Sequence, residues 1–293
     1  MKKLLLILLV ISNQAFSQSL KQSALKNYNN QNWETAAKDY SKYLKRHEGD
    51  SSDWYNLAMS NAKLKYFTKA VECFKEAEKR NYTPAFVYYN IAKSYAQMND
   101  ESNLITALQV GANKGLRGYS RLQSDPVFVA FQESTEFIAV LEKIKINAYP
   151  CLSSKDNRHF DFWLGEWDVF VGTRKVGVNS ITMAQGGCAV HENYTTGGNY
   201  AGQSINYYDP IDKKWHQHWA GSGGDVYNYL ETKREKGLLQ FESKFMGPKG
   251  TISLSRLTFT LNADGTVRQL FEGSTDEGKT WSPAFDGLYK KQD

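Results

Sequence analysis

The stretch KWHQHWA, residues 214 to 220, offers two kinds of chemistry on one strand-like segment. In an extended chain, alternation sends Trp215, Gln217 and Trp219 to one face and His216 and His218 to the other. The indole face suits a small-molecule cavity, with two flat apolar surfaces and one amide that both donates and accepts. The imidazole face suits a divalent metal. His-x-His supplies two ligands, His191 of AVHENY a third, and Glu192 or Asp225 would stand behind them. We expect the Trp–Gln–Trp face to point inward and line a ligand cavity. Two readings compete with it. In one, the tryptophans merely fill a core. In the other, a metal-dependent enzyme uses His191, His216 and His218.

Other chemistry-bearing residues narrow the field. GSTDEGKT, residues 273 to 280, satisfies the phosphate-loop pattern, but that pattern needs a following helix to cradle phosphate. WSPAF follows instead, and Asp276 and Glu277 would repel an anion. Ser274, Asp276, Gly278, Thr280 and Trp281 fit an Asp-box hairpin better, a turn in which the aspartate accepts from loop N–H groups. Arg256 and Arg268 are candidates for binding a ligand carboxylate, and Arg256 is placed with the ligand-binding set. Glu192 and Glu272 would be an acid–base pair if one cavity held both. No G-x-S-x-G nucleophile elbow occurs. The expectation is therefore a non-enzymatic protein that uses no cofactor.

These residues sit in a chain of 293, long enough for two domains. The N-terminus, MKKLLLILLVISNQAFSQS, has two lysines, an apolar run and a small-x-small site. It reads as a secretory signal over residues 1–17, cleaved near Ser17, and implies a periplasmic or secreted protein. No other segment reads as a membrane span. The formal net charge of +5 includes Lys2 and Lys3 of the leader, and the remaining basic residues are mixed with acidic ones. That excludes a dedicated nucleic-acid surface. The three cysteines are Cys73, Cys151 and Cys188. In an exported protein an odd count suggests one pair and one spare thiol. Cys73 sits in a helical repeat, so Cys151–Cys188 is the expected disulfide, with Cys73 a small buried residue.

Residues 18–146 repeat with a period of about 34. Ala24, Ala58 and Ala92 align, as do Ala36, Ala70 and Leu104, and Tyr40, Phe74 and Leu108. Trp54 aligns with Tyr88 and Leu57 with Ile91. Small residues that let helices approach, beside aromatics that fill the gap, resemble the tetratricopeptide repeat. The best unit is WYNLAMSNAKLKYFTKAVECFKEAEKRNYTP. The resemblance implies a helical solenoid that docks a protein or peptide partner. LQSDPVFVAFQESTEFIAVLEKIK reads as its cap, with Pro126 in a first helical turn and Phe128, Phe131, Phe137 and Leu141 packing back.

In the second domain, residues 147–293, the period changes to two from Phe160 onward. Ten aromatic and β-branched runs, from Glu166–Val171 to Phe285–Lys290, alternate with Gly, Asn and Asp turns. Sequential hairpins favour a closed up-and-down barrel, which leaves no sheet edge. The blocks FDFWLGEWDVF, GGCAVHENY, GQSINYYDPIDKKWHQHW, RLTFT and VRQLFEGSTDEGKTWSPAFDGLYKK resemble the domain-of-unknown-function family 1579, a lipocalin-like relative of the calycins. That resemblance implies a ten-stranded lipocalin-like barrel. It gives Trp163, Gly165 and Trp167 the barrel floor, supports the Cys151–Cys188 pair and implies no established activity; Trp163 and Trp167 join Trp215, Gln217, Trp219 and Arg256 in the expected ligand-binding set. The fold expected is thus an all-α repeat array followed by an all-β antiparallel barrel. The function expected is an exported binding protein that holds a small apolar or amphipathic ligand. The alternative is a filled barrel serving only structure or protein interaction.

Overall fold

The computed structural model describes residues 19–246 and 252–292. The leader expected over residues 1–17 lies outside the described residues. The chain divides into two compact units, Met1–Ala148 and Tyr149–Asp293, just past the boundary expected at residue 146.

The first unit is helical. Its elements are α1 (19–29), α2 (Trp33–Leu44), α3 (Ser51–Lys63), α4 (Phe67–Lys79), α5 (Pro84–Gln97), α6 (Glu101–Asn113), α7 (Tyr119–Ser124), a 3-10 turn over Pro126–Phe131, and α8 (Thr135–Ala148). The repeating small residues mark the helix contacts: Ala24, Ala36, Ala58, Ala70, Ala92 and Leu104 are all fully buried. Tyr40, Phe74 and Leu108 fill the spaces between them. At Gly111 an added Cβ would stand 2.9 Å from the Cβ of Tyr88, so α5 and α6 approach there without room for alanine. Local signals set the ends. Asp50 and Asp53 form a capping box at the start of α3, and Lys21 bridges both carboxylates at 2.7 and 2.8 Å. Pro84 opens α5, where its missing N–H costs nothing. Phe128 and Phe137 are fully buried at the end of the unit, their rings 6.1 Å apart. No helix among the described residues is long and apolar enough to cross a membrane.

The second unit is a closed antiparallel barrel of ten strands. They are β1 (Gly165–Val171), β2 (Arg174–Ala184), β3 (Ala189–Thr196), β4 (Ala201–Asp209), β5 (Lys214–Gly221), β6 (Val226–Glu235), β7 (Leu238–Met246), β8 (Ile252–Leu261), β9 (Val267–Ser274) and β10 (Ser282–Lys291). Each strand pairs with its sequence neighbours, and β1 closes on β10 with Trp167 opposite Lys291. Ten strands enclose more space than their own inward side chains can fill. At one end the chain before β1 supplies the filling. Phe160, just before a 3-10 segment, Asp161–Trp163, and Trp163 at its end enter the lumen, and both are fully buried. Phe160 stacks on Trp163 and meets Phe259 edge-on, both at 4.9 Å, and meets Trp215 at 5.6 Å. Gly165, at φ 141°, turns this plug into β1 with a backbone geometry that side chains disfavour. Trp167 then donates from Nε1 to the Trp163 carbonyl at 2.8 Å. The Cys151–Cys188 disulfide, Cα–Cα 5.0 Å, ties the leading segment to the turn between β2 and β3. Cys73 is free and buried in the helical unit.

Candidate functional site

Alternation along β3 to β6 directs one row of side chains inward. On β3 these are Val190, Glu192, Tyr194 and Thr196; on β4 Gly202, Ser204 and Asn206; on β5 Trp215, Gln217 and Trp219; on β6 Tyr227 and Tyr229. At the end of the barrel away from the Phe160–Trp163 plug, Glu192, Tyr194, Thr196, Gln217, Trp219, Tyr227 and Tyr229 of this row line a cavity of about 390 Å³. Trp219, Tyr227, Tyr229, Phe271, Phe285 and Tyr289 make most of its wall, and Tyr200 and Asp225 stand at the hairpins by its mouth. The barrel is therefore not filled throughout.

The Trp–Gln–Trp row of β5 runs from floor to mouth. Trp215 belongs to the floor: it is buried against Phe160, and its Nε1 donates to the Asp156 carbonyl at 3.1 Å. Trp163 and Trp167 are floor residues too. The expected ligand set Trp163, Trp167, Trp215, Gln217, Trp219 and Arg256 thus separates, and only Gln217 and Trp219 reach the cavity. Trp219 lies across β4, where a Cβ on Gly202 would fall 2.1 Å from the indole. Its Nε1 donates to Asp225 at 2.9 Å, and Tyr200 donates to the same oxygen at 2.8 Å. Burial works against the Asp225 anion, but these two donors outweigh it and hold the carboxyl below its ordinary value.

Arg256 corrects the sequence reading. Its neighbours Ser255 and Leu257 point inward and are buried, so Arg256 points out. It lies 3.7 Å from the Trp281 ring and bonds Glu242 at 2.9 Å. Arg268 is likewise outside, held by Asp286 at 2.7 Å. Glu272 sits opposite Arg256 on the outer face, so it does not share a cavity with Glu192. The three-histidine metal site does not assemble either. His191 and His218 lie on the outer face with Ile205 of β4 between them, and His216 pairs with Tyr207. Tyr207 stacks between His216 and His218, at 5.2 and 5.8 Å. Among the described residues one group with metal-ligand spacing comes together, Asp209, Asp212 and His216. The β4–β5 turn accounts for all three: Asp209 accepts from the Ile211 N–H, Asp212 from the Lys214 N–H and from His216. The Asp-box reading of 274–281 agrees with the hairpin hydrogen bonds, since Asp276 accepts from Ser274, from the Thr280 N–H and from the Thr280 hydroxyl.

Glu192 is the feature that sequence reasoning undervalued. Its side chain is buried on β3 at the cavity bottom. Asn179 donates to one carboxylate oxygen at 2.8 Å and Ser204 to the other at 2.6 Å. Asn206 donates to Ser204 at 2.9 Å, and Asn179 also reaches the Tyr289 hydroxyl at 3.4 Å. Burial pushes the Glu192 carboxyl up to about 7, against the opposing pull of Ser204 and Asn179. The signal was its place two residues along β3 from both Val190 and Tyr194, in the inward phase. A polar residue in that phase must find partners inside.

No family model matches the chain, and the comparison with curated proteins returned no match.

Proposed function

We propose that this is an exported, non-enzymatic binding protein whose barrel holds a small amphipathic molecule. The observation that carries the reading is the cavity: about 390 Å³, walled by aromatic rings, with a hydrogen-bonded carboxyl at its bottom. Ligand sites are largely apolar with few placed polar groups, and volumes of this order hold small organic molecules. The barrel with its aromatic plug and N-terminal 3-10 segment supports a lipocalin-like assignment. In the same reading the helix pairs form a tetratricopeptide-type solenoid that docks a protein or peptide partner. The burial of Ala24, Ala58 and Ala92 at one repeating position supports it. The cysteine pair suits an oxidising compartment and so supports export.

Native mass spectrometry of protein purified gently from its natural source tests the reading. The expected result is an added mass of small-molecule size, lost in Trp219→Ala and kept in His216→Ala, whose ring is on the outer face. A bare mass in the unaltered protein overturns it.

A further inference from the structure

The cavity has a chemical bias that its aromatic wall alone does not express. Among the described residues no lysine, arginine or histidine lines it, while two carboxylates do, Glu192 at the bottom and Asp225 at the mouth. Neither is matched by a described cation within ion-pair distance. The other buried carboxylate of the barrel, Glu231, is different, because Arg234 stands 3.2 Å from it. The layer behind Glu192, which does not itself line the cavity, also has a surplus of acceptors. Asn179 and Asn206 spend their N–H groups on Glu192, Ser204 and the Val190 carbonyl. Their Oδ1 atoms are buried with no partner.

Three ligand charges can be compared against these facts. An anion would meet the Asp225 carboxylate and oppose ionisation of Glu192 in a poorly solvated space, where repulsion is far stronger than in water. A neutral apolar molecule would cover Glu192 and leave its remaining lone pairs unmatched, at a cost of about 1–3 kcal/mol per buried polar group. A cation supplies Glu192 with a donor and a countercharge, and the faces of Trp219, Tyr227 and Phe271 attract it as well. We propose that the cavity binds a small organic cation, an amine on an aromatic or aliphatic body, with its ammonium group at Glu192. The proposal rests on the cavity being a ligand site. Glu192 contributes the charge and the acceptors, and the aromatic wall contributes the apolar enclosure. Burial raises the proton affinity of Glu192, and no described cation stands near enough to offset it.

Matched triads of probes test the charge without knowing the natural ligand. The triads are 2-phenylethylamine, 2-phenylethanol and phenylacetate; tryptamine, tryptophol and indole-3-acetate; and octylamine, octanol and octanoate. Each is titrated into the purified protein by calorimetry at neutral pH. In at least one triad the amine is expected to bind about tenfold or more tighter than the alcohol and the carboxylate. Glu192→Gln should lower that amine's affinity by about tenfold and change the alcohol's by less than about threefold, and His216→Ala should leave both unchanged. If the alcohol or carboxylate equals or leads the amine in every triad, the charge assignment falls while the binding cavity stands. If no member binds, the cavity reading falls with it. The ranking within triads is made on the unaltered protein, so it decides the question even if Glu192→Gln does not fold.

Discussion

The closed end of the barrel and its open end are built from the same ten strands and the same inward alternation. Their interiors nevertheless differ. At the closed end Phe160 and Trp163 arrive from outside the sheet and join Trp215, Phe241 and Phe259 in a layer of touching rings. At the open end no described residue from outside the sheet is inserted, and the inward residues leave about 390 Å³ between them. Their chemistry shifts accordingly: tyrosines, glutamines and a glutamate join Trp219, Phe271 and Phe285 at the open end. A barrel of this strand number thus needs a plug to make a core, and where it lacks one it makes a cavity. Stability should reside in the first region and recognition in the second.

Four measurements can break or sharpen that division. The largest effect is expected from Trp163→Ala. Removing the plug indole should cost the barrel about 3–5 kcal/mol, read as a lower urea midpoint for exchange of the β1 and β8 amides. A loss that small substitutions at Trp219 reproduce would erase the distinction between the ends. Next comes the disulfide. Reducing Cys151–Cys188, which closes a 37-residue separation, should remove about 3–4 kcal/mol by chain entropy. The barrel midpoint should fall while that of the helical unit holds.

Glu192 gives the third. Its carboxyl is protonated in both folded and unfolded chains below pH 4.5, and burial raises the folded value to about 7. Between those values the unfolded chain ionises and the folded one keeps its proton. Barrel stability should therefore fall as pH rises from 4.5 to 7, by about 3 kcal/mol in all, and level off above. Tyr194 and Tyr289, the titratable groups coupled to it, both titrate above their ordinary value and stay neutral across this window. Urea midpoints at a series of pH values should show the slope, and Glu192→Gln should flatten it. A slope unchanged by that substitution would mean the carboxyl is solvated. The smallest effect belongs to Gly202→Ala. Its Cβ would enter the Trp219 ring, so the indole must swing, at about 1–3 kcal/mol. The near-ultraviolet circular dichroism of Trp219 should change while the closed-end midpoint moves little.

Much of this architecture can be read from residue order. The offset that aligns Ala24, Ala58 and Ala92 finds the helix contacts, because only small side chains permit them. Period-two runs locate all ten strands to within a few residues. On β5 residue size favours one phase, since two indoles and an amide alternate with two imidazoles and a sheet that encloses a core buries the larger apolar set, and the structure buries Trp215 and Gln217. On β8 and β9 the phase is harder to read. Arg256, Arg268 and Glu272 are long polar side chains that suit a ligand or a solvent-facing ion pair equally well, and a one-residue shift of register exchanges those roles. Their cross-strand partners Glu242 and Asp286 decide for the outside.

Height along the barrel is a separate matter. Trp215 and Trp219 share a strand and a face, yet one packs under Phe160 and the other walls the cavity. That difference depends on where the plug from residues 160–163 stops, a long-range packing relation that no local spacing encodes. The same holds for Glu192. Alternation points it inward, but only the closed barrel, bringing Asn179 and Ser204 to its oxygens and no described cation near it, makes it a buried carboxyl without a countercharge. Side-chain period and size are local properties and can be read from the chain. Depth, register and the sign of the field inside the cavity arise only when distant strands close on one another.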